Sequence, residues 1–118
     1  MGKRTVDPIH IYNKTYRHNY YVYYGVPLNK YLEHFEIQSG SPEELGPEST
    51  SIGRCATVLN PEYGYMTFIW TKKKNISTLT HEVFHAVYET LSTRGIPLTE
   101  STEEVYAYLL QMIIREIV

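Results

Sequence analysis

The sequence predicts a single α+β domain: a small antiparallel or mixed sheet packed against one helix, with a second helix at the C-terminal end. Three observations carry this. Phe84, Val87, Tyr88 and Leu91 recur at helical spacing and mark an amphipathic helix from about residue 78 to Thr93. Two short alternating runs, 53–59 and 65–71, flank Asn60-Pro61-Glu62-Tyr63-Gly64, a hairpin loop with Pro early and Gly late. Glu100, Glu103 and Glu104 then stand ahead of an apolar run, as at the start of a helix whose dipole favours negative charge.

The remaining elements follow in order. Residues 6–12 alternate and read as a first strand, Asn13-Lys14-Thr15 can turn the chain, and residues 20–24 read as a second strand that Gly25 ends. Tyr is the commonest aromatic, 12 residues against Phe 3 and Trp 1, and its crowding at Tyr16, Tyr20, Tyr21, Tyr23 and Tyr24 suits a hairpin with aromatics on both faces. An aromatic wall for a partner or a peptide is the functional alternative. Leu28, Leu32 and Phe35 recur after Pro27, so 27–37 reads as a short helix with Pro in its first turn. Residues 38–52 hold little to bury and read as a flexible loop that could cover a cleft. In the second hairpin Met66, Phe68 and Trp70 share one face, and Tyr65, Thr67 and Ile69 the other. Ser77 or Thr78 is the expected cap of the helix that follows, and Gly95 its stop. Either Thr99 or Ser101 is the expected cap of the last helix.

Composition narrows the function. At 118 residues the chain is one domain, and a net charge of −2 gives no signal for nucleic acid. No apolar run reaches the ~20 residues of a membrane span, and no apolar segment follows the basic N-terminus as in a signal peptide. A single Cys excludes an internal disulfide and suits a reducing, cytoplasmic compartment. Lys72-Lys73-Lys74 is the one basic run, a solvated loop standing just before the helix that carries the chemistry.

That chemistry is written in His81-Glu82-Val83-Phe84-His85. Histidines at i and i+4 share a helix face one turn apart, so both imidazoles can reach one Zn²⁺. Glu82 lies beside that face and can reach a water without ligating the metal, as a general base must. Catalytic zinc takes three protein ligands. No His follows His85, so a downstream third ligand must be a carboxylate, and the last helix offers Glu100, Glu103 and Glu104. Glu104 has Ala107 and Tyr108 at i+3 and i+4, where a small residue would let the two helices approach. The plain alternative is that all three merely decorate a helix start.

With Glu104 falling 19 positions after His85, the pattern resembles the gluzincins among zinc metallopeptidases. The Glu-x-x-Ala-Tyr element and the short length also resemble small phage-encoded proteins classed as metallopeptidases. The resemblance covers roughly residues 78–115. It implies a minimal zincin-like fold whose C-terminal helix supplies the third ligand, with His81, His85 and Glu104 holding Zn²⁺ and Glu82 activating a water. It also implies a peptide or protein substrate held by edge pairing to the strand nearest the cleft, and residence in the host cytoplasm. Gluzincins commonly carry an Asp four residues after the ligand Glu to support a ligand His. Tyr108 stands there in this chain and could accept that hydrogen bond. The oxyanion-stabilising Tyr or His of larger relatives matches no motif; His10, His18, His34 and the tyrosines are open candidates. Cys55 reads as a buried structural thiol. Two rival readings are a non-catalytic, zinc-stabilised module that binds a host or partner protein, and a metal-free interaction domain.

Overall fold

The computed structural model describes residues 7–43 and 50–118. Strands β1 (Ile9–Asn13), β2 (His18–Tyr24), β3 (Gly53–Asn60) and β4 (Gly64–Thr71) form one mixed sheet in the order β1-β2-β4-β3. The two hairpins, β1–β2 and β3–β4, are antiparallel; β2 and β4 join them in parallel at the centre, with Tyr20 opposite Thr67. Helix α1 (Leu28–Ser39) packs on one face, while α2 (Ile76–Ser92) and α3 (Glu103–Ile117) pack on the other. No helix among the described residues is long and apolar enough to cross a membrane.

Strand alternation builds a core on each face. Met66, Phe68 and Trp70 of β4 point toward α1 and meet Tyr23, Tyr31 and Phe35, as the period-two pattern predicts. Tyr31 stacks on Trp70, whose indole N–H donates to the Val26 carbonyl at 2.7 Å. Ile69, Tyr20 and Val22 point the other way, against Leu79, Val83, Ala86 and Val87 of α2 and Tyr106, Leu109 and Ile113 of α3. Tyrosines thus lie on both faces of β2.

Several boundaries differ from the sequence reading, each for a local reason. Pro27 sits just outside α1, extended at φ −57 and ψ 143. The helix runs on to Ser39 and stops where Gly40 adopts φ 84 and its N–H reaches the Glu36 carbonyl, so it takes in two residues expected in the loop. Residues 44–49 of that loop lie outside the described residues. Asn75, not Ser77 or Thr78, caps α2: its side chain accepts from the N–H groups of both. Thr102 precedes α3, and its hydroxyl is used in the preceding loop, donating to Pro97 and accepting from Thr99 N–H, so neither Thr99 nor Ser101 caps the helix.

One buried polar cluster ties the C-terminal end of α2 to the sheet. His18 is fully buried between Tyr20 and Tyr65. Arg94 Nη1 lies 3.1 Å from His18 Nδ1. A guanidinium only donates, so Nδ1 must be the bare acceptor and Nε2–H the donor to Thr67 Oγ1. Thr67 in turn meets Thr57, and Tyr20 meets Thr90 at 2.7 Å. Burial first, and the Arg94 charge second, lower the His18 pKa to about 3.

The sign of the linkage follows. The unfolded chain takes up a proton at His18 below the ordinary value of 6.5, and the folded protein does not until about 3. Stability is therefore whole above that ordinary value and falls as pH drops below it, by up to about 1.4 kcal/mol per pH unit. Urea unfolding between pH 7 and 4.5 should show this slope in the wild type and a shallower one in His18→Gln. Parallel slopes would remove His18 as the cause.

Candidate metal centre

Helix α2 is turned by its apolar residues. Leu79, Val83, Ala86, Val87 and Leu91 are fully buried, so the opposite face must point outward, and His81 and His85 lie on it, exposed. The stripe expected beside the histidines splits: Val87 and Leu91 enter the core, while Phe84 and Tyr88 stay 41% and 48% exposed. The imidazoles converge, with Nε2 of His81 and Nε2 of His85 3.2 Å apart. Two nitrogens bound tetrahedrally to one zinc, each at 2.0–2.1 Å, stand about 3.3 Å apart. A single N–H shared between neutral rings also satisfies this distance.

Glu82 lies on the flank of α2 that faces β3 and is only 8% exposed. The fit is close because residue 53 is glycine. A Cβ built there would stand 2.9 Å from Glu82 Oε2 and 2.9 Å from Thr78 Cγ2. Burial raises the Glu82 pKa, against the opposing pull of His81, His85 and Arg54. A carboxylate with raised proton affinity suits taking a proton and passing it on.

Strand β3 is the sheet edge on this side, among the described residues. Lys72 N–H donates to the Ile52 carbonyl at 2.9 Å, and the alternation from there makes residues 54, 56 and 58 the ones that exchange hydrogen bonds with β4. The N–H and C=O groups of Gly53, Cys55 and Thr57 consequently point away from the sheet, toward any chain that comes alongside. Beside Gly53 a cleft of about 380 Å³ is lined by Ser51, Ile52, Ser77, Thr78, His81 and Glu82.

The other site residues expected from the sequence lie elsewhere. Among the described residues no group of three His, Cys, Asp or Glu side chains stands together as a metal site, so the structure does not bring Glu104 to His81 and His85. Tyr106, Leu109 and Ile113 are the buried residues of α3, and Tyr106 O–H donates to the Ile96 carbonyl at 2.6 Å. At about 100° per residue Glu104 is then roughly opposite Tyr106, on the outer side. Ala107 and Tyr108 share that outer side and are exposed, so the small residue does not face α2 as expected. Tyr108, 65% exposed, lines a groove with Asn13, Thr15 and Tyr16 at the β1–β2 turn, whereas the sequence reading expects it behind a ligand histidine. Glu103 is also exposed, and Glu100 precedes the helix.

The open candidates are occupied as well. His10 stacks on Tyr21, His34 stands edge-on to Tyr23, and His18 is committed to Thr67 and Arg94. Cys55 is half-buried with its thiol toward Glu89 Oε1 at 3.9 Å, and burial followed by Glu89 pushes its pKa well up. Gly53 is the site residue that sequence reasoning missed. A glycine at a strand start signals close approach of another group, but nothing in the sequence says which.

No model of a known protein family, no characterised protein and no solved structure matches the chain.

The Gly53 cradle is testable. Gly53→Ala should destabilise the fold by about 1–3 kcal/mol through overpacking, measured by urea unfolding. Adding Thr78→Ser, which removes the methyl it strikes, should return part of that loss. Strict additivity of the two changes would mean that the contact is absent.

Proposed function

We propose that this protein is a zinc-dependent peptidase in which His81 and His85 hold the metal and Glu82 is the general base. The observation that carries the reading is the 3.2 Å convergence of the two Nε2 atoms, the separation a shared zinc requires. A zinc bound there would supply Lewis acidity to a peptide carbonyl and to a water molecule.

The chain's own residues supply the rest. The outward N–H and C=O groups of Gly53 and Cys55 pair with an extended peptide and hold its scissile bond beside α2. Glu82, shielded on the strand side, accepts a proton as water adds to the carbonyl carbon. When the C–N bond breaks, the same carboxyl returns that proton to the departing amine. One water is consumed, and Glu82 ends as it began. The single cysteine supports a cytoplasmic setting.

The sequence offers Glu104 as the third ligand. As placed, Glu104 faces outward, so ligation by it requires the first turn of α3 to turn toward α2. A second reading is a binding module without catalysis, favoured by the same 3.2 Å distance read as one imidazole donating to the other.

A competitive zinc titration with parallel digestion of a mixed peptide library separates these. The wild type should bind one zinc, lose melting temperature in excess chelator and cleave peptides. Glu82→Gln should keep zinc within about threefold and lose about 10²-fold or more in kcat. His85→Ala should lose both. Equal loss of zinc in Glu82→Gln and His85→Ala would overturn the roles, and zinc binding without cleavage leaves the binding module. For the third ligand, a tenfold loss of affinity in Glu104→Ala but not Glu103→Ala assigns Glu104; equal affinities remove it.

A further inference from the structure

The cleft beside Glu82 does not end at Thr78. A second hollow of about 210 Å³, lined by Ile52, Lys72, Lys73, Asn75 and Thr78, shares Ile52 and Thr78 with the first. The two adjoin at Ile52 and Thr78 and, taken together, make a trough along the N-terminal half of α2. Its charged lining is uneven: Glu82 and His81 stand at one end, Lys72 and Lys73 at the other, and the remaining lining residues are uncharged. Both lysines are exposed, and no carboxylate among the described residues pairs with either; the ion pair found there is Arg54–Glu43. Lys74, next in the chain, turns elsewhere. Its Cγ covers Gly25, and it lines a separate hollow with Tyr24, Val26 and Ile117.

Distance and direction say which part of a peptide these lysines meet. From Asn75 to Glu82 the helix rises about 10 Å, which three residues of extended chain span. Strand β3 starts at Gly53, beside Glu82, and leads away from the lysines. A peptide pairing antiparallel to it, the more stable mode, runs from Cys55 past Gly53 toward Ile52 and Lys72. Its C-terminal portion therefore enters the lysine end.

We infer that the trough selects peptides bearing a carboxylate about three residues C-terminal to the scissile bond, received by Lys72 and Lys73. The carboxylate is that of an acidic side chain or of the peptide's own C-terminus. The inference rests on the peptidase reading for the position of the scissile bond, not for the selectivity of the trough.

The probes are fluorogenic peptides of one core sequence carrying Glu, Gln or Lys at the second to fourth position after the bond, each with a free or amidated C-terminus. Cleavage by the zinc-loaded wild type is read as KM and kcat, and binding to Glu82→Gln by fluorescence polarisation. For exposed charges the expected preference for Glu over Gln is about three- to tenfold in KM and in binding at low salt. It should fade in concentrated salt. Lys72→Glu/Lys73→Glu should turn the preference toward Lys peptides, Lys72→Gln/Lys73→Gln should abolish it, and Lys74→Glu should leave it as in the wild type. A preference for Glu that persists in amidated peptides identifies a side chain; one that follows the free terminus with Gln in place identifies the terminal carboxylate. Equal values for Glu, Gln and Lys peptides, with free and amidated termini alike, would overturn the inference. Glu-selective binding with no cleavage would uphold the trough and overturn the peptidase, and neither binding nor cleavage would overturn both.

Discussion

Leu79, Val83, Ala86 and Val87 are fully shielded on one side of α2, and the rotation of that helix follows from their burial. Each contributes on the order of 1–3 kcal/mol by leaving water, the smaller Ala86 least. Rolling α2 by one residue, about 100°, would expose part of this stripe and bring the polar flank of the helix toward the sheet. No metal is needed to aim the histidines. Aliphatic burial aims them, and their i, i+4 spacing makes the rings meet.

The two ends of α2 are held differently. At the C-terminal end the buried Tyr20–Thr90 bond, and the His18–Arg94 contact just past the last turn, fix the helix to β2 with directional bonds. At the N-terminal end the cap is local, Asn75 alone, and the neighbours are an exposed loop and the start of β3. His81 and Glu82 lie in the half nearer the looser end, and His85 just past the middle of the helix. That arrangement gives Glu82 a shielded wall at Gly53 while leaving the imidazoles open to solvent.

Much of this was legible because the signals were local. The His81-Glu82-x-x-His85 run, the alternation of Met66, Phe68 and Trp70, and the loop before Gly64 each depend on neighbours within a few residues. The parallel union of β2 with β4 was not, since it pairs residues 18–24 with 65–71 and leaves no mark in either strand. Helix α3 was misjudged for another reason. Val105, Tyr106, Ala107, Tyr108, Leu109 and Leu110 are apolar almost all the way round, so periodicity offers two inward faces. The Tyr106 hydroxyl on Ile96 and its ring against Tyr88 decide between them, and both partners belong to other parts of the chain. Gly53 was hidden likewise, because its meaning lies in Glu82 and Thr78 across space.

Among the described residues β3 leaves one edge unpaired, and that has a cost beyond the site. Sheets guard their margins with charges, prolines or bulges, because unpaired amides recruit any strand that comes near. Between Gly53 and Asn60 the one charged residue is Arg54, and its guanidinium is drawn to Glu43. Leu59 adds a 63% exposed apolar side chain to the same margin. An edge open to one extended chain is equally open to a second copy of this protein. Self-pairing would compete with any other extended chain for the same amides, and more so as the protein is concentrated.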